Sequence, residues 1–295
     1  MPRIQLKELS ENERRELLKK LEEIGKSNLK QDLEQSLLSK LSQSDRWDKE
    51  LLLRYLLLAS ILDQQAESVS ARNTVIKLYE EFGRDFFMKP HDSINRIHDI
   101  LDRVLKVYEP KSRVIRVSKE GVSLMRVGGF LLALLSLSSQ YGSLQRYFSS
   151  FRGPRELLNK GILGNVLLKG LLYEKAARMY VGWITHPDLH IDIFEGRCGY
   201  NEIPMPVNGH VSKVMARTGF LNSVLVEEGR PIVKANEERK RIENLVKRYY
   251  PRGDFFMIDY GAFYIGFKYC REENPNCNAC PISNLCKRNT KVRAF

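Results

Sequence analysis

Apolar residues recur along most of the chain at the three- and four-residue spacing of amphipathic helices. The first stripe follows a capping box formed by Ser10 and Glu13, so a helix is expected to begin there. This stripe comprises Leu17, Leu18, Leu21 and Ile24. Further helices are predicted over 47–62, 67–82, 91–108, 121–138, 143–151, 157–183, 209–218, 235–249 and 254–268. Alternating β-branched runs are scarce and no Asn-Gly turn joins two of them, so the sequence predicts an all-α fold.

The most apolar run, residues 130–137, predicts a buried helix, because it is far shorter than the ~20 residues that span a bilayer. The chain opens on charged residues, without the apolar region of a secretory signal. We therefore expect no membrane partner and a cytoplasmic, reducing environment. At 295 residues the chain is long enough for one large or two modest domains.

Basic residues exceed acidic ones by a wide margin. The 48 Lys and Arg residues against 36 Asp and Glu residues leave a formal charge of +12. Such an excess favours a polyanionic partner, with nucleic acid first and an anionic membrane surface second. Charge alone also leaves open a soluble protein that merely has a basic face.

Four of the five cysteines lie in the last stretch of the chain, at Cys270, Cys277, Cys280 and Cys286. Without a secretory signal, thiols crowded like this are metal ligands far more often than disulfides. Four sulfurs can hold a tetrahedral zinc ion or a 4Fe-4S cluster. A zinc ribbon normally carries two Cys-x2-Cys pairs and this chain has one, so we favour the cluster and keep zinc as the alternative. The fifth cysteine, Cys198, is expected to be a free thiol.

The spacing Cys-x6-Cys-x2-Cys-x5-Cys resembles the iron–sulfur loop of the endonuclease III type of DNA glycosylases, which belong to the helix-hairpin-helix superfamily. The resemblance extends over about 55–85 and 160–290, including a helix before the cysteines in which Gly261 and Gly266 allow close packing. It implies an all-α, two-lobed helix-hairpin-helix glycosylase fold with an iron–sulfur cluster loop and a DNA cleft between the lobes. The helical-barrel lobe would comprise 56–199, and the cluster lobe 1–55 plus 200–295.

Residues 60–79 resemble the segment in which this superfamily carries a glutamine-containing loop. In the family that glutamine fills the space left by an everted base; by position Gln65 is the best match, with Gln64 beside it. Extruding a base costs a few kcal/mol of unstacking, so a side chain that fills the gap has a physical role. A pair of glutamines that only make helix-end hydrogen bonds is the alternative.

The family's hairpin turn, Leu-Pro-Gly-Val-Gly, holds a DNA phosphate on its backbone amides. The nearest match has Lys169 in place of the proline, Gly170 at the first glycine and Leu172 at the second. Lys175 lies one position beyond the family's catalytic lysine, which forms a Schiff base in the members that also cut the backbone. Such a nucleophile needs a partly neutral amine, through burial or a cationic neighbour such as Arg178. A solvated lysine on an apolar surface is the alternative.

Residues 203–219 resemble the family's hydrophobic-Asp-x-His-Val segment and the helix that follows it. The charge of that aspartate stabilises the cationic sugar as the base leaves. This chain has Asn208 there, and an amide offers neither a general base nor a full negative charge. Asn208 immediately precedes the helix, where asparagine is a favoured N-cap. His210 is expected to be a structural hydrogen-bonder rather than a base, and with Lys213 is placed among the DNA-binding residues.

Asn208 leaves three interpretations open. The protein binds altered DNA without cutting it, cleaves with another acid, or carries an engineered substitution at this position. The candidates for another acid lie in the preceding irregular segment and are Asp188, Asp192, Glu195 and Glu202.

Cations outnumber acids around the cysteines. They are Lys268, Arg271, Lys287, Arg288, Lys291 and Arg293, against Glu272 and Glu273. Cations of this kind contact phosphate, which gives position and salt-dependent affinity but no base readout. Arg271, Lys287 and Arg288 are the predicted contacts, and a frayed basic tail is the alternative for the last five residues.

The resemblance thus implies a DNA N-glycosylase of base-excision repair, acting on a flipped damaged or mismatched base in double-stranded DNA. Lys175 would add AP-lyase activity if it forms a Schiff base. One alternative is a lesion- or mismatch-binding protein of the same fold that has lost hydrolysis, and another is a zinc-stabilised nucleic-acid adaptor. We expect a monomer associated with the nucleoid.

Overall fold

The computed structural model describes residues 2–64, 68–109, 118–189 and 191–294. It is 64% helix and 5% strand, in agreement with the predicted all-α class. The α-helices are α1 (Glu11–Asp32), α2 (Lys49–Asp63), α3 (Ser68–Phe82), α4 (Asp85–Met88), α5 (Pro90–Asn95), α6 (Ile97–Val107), α7 (Lys119–Ser123), α8 (Gly129–Tyr141), α9 (Leu144–Ser149), α10 (Pro154–Glu156), α11 (Val166–Lys169), α12 (Glu174–Thr185), α13 (Gly209–Arg217), α14 (Ala235–Tyr249) and α15 (Phe255–Lys268). Short π-helical turns cover Leu33–Leu37, Leu124–Gly128 and Leu157–Ile162, and 3-10 turns cover Asp45–Trp47, Tyr200–Glu202 and Ser283–Leu285.

The chain divides into two compact units. We call residues 32–198 the helical unit and residues 1–31 with 199–295 the cysteine unit. The second boundary, after residue 198, lies next to the predicted one after 199. The predicted first boundary, between 55 and 56, is wrong because it falls inside α2. Residues 51–62 of α2 are all buried in the helical unit, so this helix cannot be divided between two cores.

Helix α2 is the centre of the helical unit. Asp48 caps it by accepting a hydrogen bond from the amide of Leu51 at 3.1 Å. On the neighbouring α12, the hydroxyl of Tyr180 donates to the carbonyl of Leu53 at 2.9 Å. This buried bond and the apolar contacts around it fix α12 against α2. Candidate site residues lie at the C-terminal end of α2 and at the N-terminal end of α12, which are close together.

One apolar helix in this unit is longer than predicted. It runs without a break from Lys119 to Tyr141, through α7, a π-helical turn and α8, over 23 residues. By length and composition alone it is able to cross a membrane, but half of its most apolar stretch is buried inside the fold, as in the core helix of a soluble protein. The predicted burial of 130–137 is confirmed at five of the eight positions, whereas Leu135 and Ser136 are half-buried and Leu132 is 57% exposed.

The cysteine unit packs α1, α13, α14 and α15 around a second core. A Cβ atom on Gly266 of α15 would lie 2.8 Å from the carbonyl oxygen of His210 in α13. A Cβ atom on Gly261 would collide with the carbonyl of Leu21 in α1. Both glycines therefore permit the close helix crossings that the sequence predicted.

The cysteine unit also contains a small sheet that the sequence did not predict. The strands β1 (Arg3–Gln5), β2 (Ser223–Glu227), β3 (Arg230–Val233) and β4 (Arg293–Ala294) lie in that order, antiparallel except for the pair β3–β4. Glu228 and Gly229 join β2 to β3 with φ angles of 50° and 73°. Positive φ at both central residues suits a two-residue hairpin. The prediction missed this turn because glutamate stands where asparagine is usual.

Candidate metal centre and candidate active site

The four C-terminal cysteines line one small cavity in the cysteine unit, with a volume of about 30 Å³. Cys270 lies two residues after the end of α15, and the loop beyond it returns Cys277, Cys280 and Cys286 to the same cavity. All four are free thiols, as is the buried Cys198 of the other unit. The tertiary structure thus brings the predicted ligand set together.

Arg217, the last residue of α13, binds the cysteine loop through its side chain. Its side chain is 2% exposed, and its guanidinium donates to the carbonyl of Arg271 at 2.7 Å and to that of Val292 at 2.9 Å. It also approaches the Sγ atom of Cys270 at 3.7 Å. The backbone amide of Arg288 donates to the Sγ atom of Cys286 at 3.4 Å. Two sulfurs therefore face N–H donors, an arrangement that stabilises negatively charged sulfur ligands.

Burial raises the pKa of the Cys280 thiol to about 11, and the other three cysteines push it in the same direction. Burial likewise raises the pKa of the Cys286 thiol. In the absence of a cation both thiols keep their protons at neutral pH, so a metal displaces protons when it binds. The four sulfurs, all among the described residues, line one cavity, but no three of them lie within 4.8 Å of one another. This spacing is wider than four sulfurs bound to one zinc ion require. A 4Fe-4S cluster, which takes one cysteine at each of four iron atoms, fits the wider spacing better.

The residues predicted to contact phosphate near this loop differ in their burial and in their ion pairs. Lys213 is buried and pairs with the Glu272 carboxylate at 3.2 Å, so the prediction that it binds DNA is wrong. Lys287 lies 2.6 Å from the Glu13 carboxylate and is about one-third exposed. Arg271 and Arg288 are exposed, and among the residues that the structure describes neither side chain forms an ion pair within 4.0 Å.

Asn208 is the N-cap of α13. Its side-chain oxygen accepts a hydrogen bond from the amide of Val211 at 3.0 Å, as expected for an asparagine at a helix start. The preceding Val207 has a φ angle of 39°, which β-branched residues rarely adopt. Its amide donates to the buried carboxylate of Asp259 at 2.8 Å, a contact that the sequence did not indicate. The backbone at the predicted catalytic position is therefore strained and held from α15.

His210 packs on α15, with its ring 5.7 Å from that of Phe263 and 6.0 Å from that of Phe267. Since its ring lies against these two aromatics, the structure favours the structural role over that of a base.

The alternative acids belong to both units. Asp188, Asp192 and Glu195 are in the helical unit, and Glu202 is in the cysteine unit with Asn208. Asp192 accepts a hydrogen bond from the amide of Gly196 at 2.7 Å, and Glu202 accepts one from the amide of Gly199 at 3.0 Å. These two carboxylates stabilise local turns, and Asp188 and Glu195 are exposed.

In the helical unit, Gln64 follows the last residue of α2 and binds the turn before α12. Its amide nitrogen donates to the carbonyl of Leu171 at 2.7 Å, and its oxygen accepts from the amide of Tyr173 at 2.6 Å. A third bond, at 3.0 Å, joins the same nitrogen to the carbonyl of Ile61. Gln64 is thus occupied by backbone groups, contrary to the predicted contact with DNA, while Gln65 lies outside the described residues.

The turn between α11 and α12 does not depend on glycine. Gly170 has a φ angle of −74°, and a Cβ atom there would meet nothing within 4 Å. The left-handed conformation that the family's glycines supply is therefore absent at this position. Lys169 beside it is exposed.

Lys175 lies in the first turn of α12, and its Nζ atom is 3.5 Å from Oδ2 of Asp63, the last residue of α2. The predicted cationic neighbour, Arg178, instead pairs with Glu174 at 2.9 Å, so its charge is balanced. The sequence analysis missed Asp63, although an acid that ends a long apolar helix is visible in the chain. It also missed the exposed ring of Tyr173, two positions before Lys175.

Comparison of the chain with protein-family models and with curated proteins finds no match, so the resemblance to DNA glycosylases rests on the motifs of this sequence alone.

Proposed function

We propose that the protein is a DNA N-glycosylase of base-excision repair, acting on a damaged or mismatched base flipped out of double-stranded DNA. The proposal rests on helix α13, which connects the segment around Asn208 to the cysteine loop. Asn208 caps the first turn of this helix, and Arg217 at its end binds the cysteine loop. One short helix thus joins the two segments of the chain that most resemble the family.

The proposed cofactor is a 4Fe-4S cluster held by Cys270, Cys277, Cys280 and Cys286. When bound, the cluster would fix the loop in one conformation rather than take part in the reaction. The exposed side chains of Arg271 and Arg288 beside the ligands would then face DNA phosphates from a rigid support. A brown preparation that absorbs near 400 nm supports this assignment. A colourless preparation with stoichiometric zinc would contradict it and favour the zinc-stabilised adaptor.

In the helical unit, the proposal treats α11, the following turn and α12 as a degenerate helix-hairpin-helix element. Lys169 is exposed at this turn, and Gln64 fixes the turn's backbone through two of its residues. The arrangement supports a role in binding DNA backbone, without the glycine geometry of the family's turn.

A second candidate function is supported by Asn208 itself. The N-cap bond to Val211 accounts for this residue without any catalytic role. A protein of this fold that binds lesions or mismatches without hydrolysis is therefore the alternative.

The test is a panel of duplexes that carry single lesions or mismatches, assayed for released base and for an adduct trapped by borohydride. The variants are Asn208→Asp, which restores a carboxylate, and Asn208→Ser, a matched control that keeps an N-cap without charge. We expect base release from at least one duplex. Preferential binding with no product by any variant would favour the alternative, and neither product nor preferential binding would overturn both.

The affinity for any duplex should fall steeply between low and moderate salt, because phosphate contacts release bound counterions. The replacements Arg271→Gln and Arg288→Gln should each lower the slope of log affinity against log salt by about 1. An affinity that does not respond to salt would exclude the basic surface as the DNA-binding face.

A further inference from the structure

An ion pair in the helical unit joins Lys175 to Asp63, an acid that has no role in the function proposed so far. Oδ2 of Asp63 lies 3.5 Å from Nζ of Lys175, and the two side chains are 22% and 36% exposed. The pair is therefore formed, and part of each side chain stays exposed to solvent, where a ligand can reach it.

Each charge of this pair lies at the helix end where the backbone dipole disfavours it. Asp63 is the last residue of α2, where the exposed carbonyls already carry negative charge. Lys175 is the second residue of α12, where the free amides carry positive charge. Exchanging the two residues would keep the ion pair and favour both helices. Helix stability thus does not account for a carboxylate at this position, and functional sites are where such local conflicts are expected.

The backbone beside the pair is held rigidly. The carbonyl of Leu171 accepts from Gln64 at 2.7 Å and from the buried Arg126 at 2.8 Å. The next aromatic residue, Tyr173, is 57% exposed, and the guanidinium carbon of Arg126 lies over its ring, 5.4 Å from the centroid. An exposed ring with a fixed orientation is a surface on which an unstacked base can lie.

We propose, on the basis of the glycosylase function above, that Asp63 is the catalytic carboxylate of this protein and takes the role that Asn208 cannot perform. Lys175 is the positioning residue that holds the carboxylate in place. Tyr173 is the stacking surface for the flipped nucleotide.

The reaction requires water as its only co-reactant. The bond from C1′ of the flipped nucleotide to the base nitrogen breaks first, and its electron pair stays on the base. The negative charge of Asp63 stabilises the cationic sugar that results. The oxygen of a water molecule then bonds to C1′ while one of its protons passes to the carboxylate of Asp63. From Asp63 the proton passes, directly or through solvent, to the departed base, and the products are the free base and a sugar with a hydroxyl at C1′.

A binding experiment tests the charge without requiring turnover. It compares duplexes that carry, at the abasic position, either a cationic pyrrolidine ring or a neutral tetrahydrofuran ring. A carboxylate that faces C1′ favours the cation, so we expect wild type to bind the cationic duplex at least about 10-fold more tightly. Asp63→Asn, which keeps the shape and removes the charge, should abolish most of this preference. The matched control Asp99→Asn, at an exposed acid of α6, should retain it.

A kinetic experiment tests the role of Asp63 in the reaction. With a cleaved duplex from the lesion panel, Asp63→Asn should lower the single-turnover rate by about 100-fold or more, with little change in the affinity for the neutral duplex. Lys175→Met should lower the rate less, and Lys175→Arg should restore part of it, since an arginine can still orient the carboxylate. Circular dichroism and thermal unfolding establish that each variant is folded.

The outcomes separate the two proposals. If Asp63→Asn keeps both the preference for the cation and the rate, Asp63 is not the catalytic carboxylate, while the glycosylase function stands. If wild type releases no base and binds neither abasic duplex more tightly than an unmodified one, the proposed function fails and the assignment of Asp63 fails with it. If Asp63→Asn is unfolded, Asp63→Glu replaces it, and a longer side chain that retains the preference for the cation at a reduced rate supports the proposal. A rate in Asp63→Glu equal to that of wild type would contradict the proposal, because the reaction would then not depend on where this carboxylate lies.

Discussion

Each unit fixes its candidate site with an arginine that has almost no contact with solvent. In the cysteine unit, Arg217 donates to the carbonyls of Arg271 and Val292 at 2.7 and 2.9 Å. In the helical unit, Arg126 donates to the carbonyl of Leu171 at 2.8 Å. Both guanidinium groups therefore hold irregular backbone next to residues with candidate chemical roles.

The two arginines differ in whether the backbone carbonyls that they bind have a second hydrogen-bond donor. Arg217 donates to backbone carbonyls of the cysteine loop and of the segment before strand β4. The other buried cation of α13, Lys213, pairs with the side chain of Glu272. Arg126 shares its carbonyl acceptor with the neutral amide of Gln64. A buried carbonyl that loses its donor is destabilised far more than one that keeps a second donor. The cysteine loop should therefore be the more sensitive of the two segments.

The largest expected effect follows from Arg217→Met. This change removes the hydrogen bonds to the buried carbonyl of Val292 and to the partly buried carbonyls of Arg271 and Glu272, and should lower the free energy of unfolding by about 3–5 kcal/mol. The purified variant should also lose most of its bound metal, measured as iron, sulfide and zinc. Arg271→Met, an exposed arginine of the same loop, is the control and should remain within about 0.5 kcal/mol of wild type. Equal stability and metal content in Arg217→Met would show that this arginine does not hold the loop.

A smaller effect is expected from Arg126→Met. Gln64 still donates to the carbonyl of Leu171, so the loss in the free energy of unfolding should be about 2–3 kcal/mol. Hydrogen exchange should become faster in the turn before α12 and remain unchanged in the cysteine loop. A loss as large as that of Arg217→Met would mean that Gln64 gives the turn no independent support.

Gln64→Ala removes the second support of the same turn and should destabilise the fold by about 1–2 kcal/mol, because Gln64 is partly exposed. The amide of Tyr173, which loses its acceptor, should show the largest increase in exchange rate. The control is Gln140→Ala, at an exposed glutamine whose side chain donates to Ser136 in the same helix. The double variant with Arg126→Met should lose more than the sum of the two single changes. Additive losses would argue against a shared acceptor.

The smallest effect concerns the exposed ion pair that links the cysteine loop to α1. The hydrogen bond from Lys287, followed by the amide and hydroxyl of Ser10, lowers the pKa of Glu13 from 4.5 to about 2. Because the folded value is the lower one, the pair contributes stability above pH 4.5 and loses it as the pH falls toward 2.

Lys287→Gln should therefore reduce the slope of the unfolding midpoint between these two pH values. The control Lys19→Gln, at an exposed lysine of α1, the helix that contains Glu13, should leave the slope unchanged. Identical pH profiles for wild type and Lys287→Gln would exclude this pair as an anchor of the loop.

Local pattern accounts for what could be predicted. The ends of α2, α13 and α15 follow from the apolar stripes and from caps such as Asn208 and Asp254, because a helix and its cap involve neighbouring residues. The turn of β2 and β3 was missed because Glu228 adopts a positive φ angle that its side chain does not favour. The pairing of Gln64 with the turn at Leu171 was missed because the partners are more than one hundred residues apart in the chain.

The sequence by itself determined the helical class, the grouping of four cysteines in one loop, and the neutral residue at position 208. These are properties of composition and of short spacing, which remain visible without any knowledge of the fold. Only the tertiary structure decided that Lys213 is buried, that Gln64 holds a turn, and that Asp63 lies beside Lys175. Each of these depends on a contact between distant helices, whose packing is set by many side chains together rather than by any single motif.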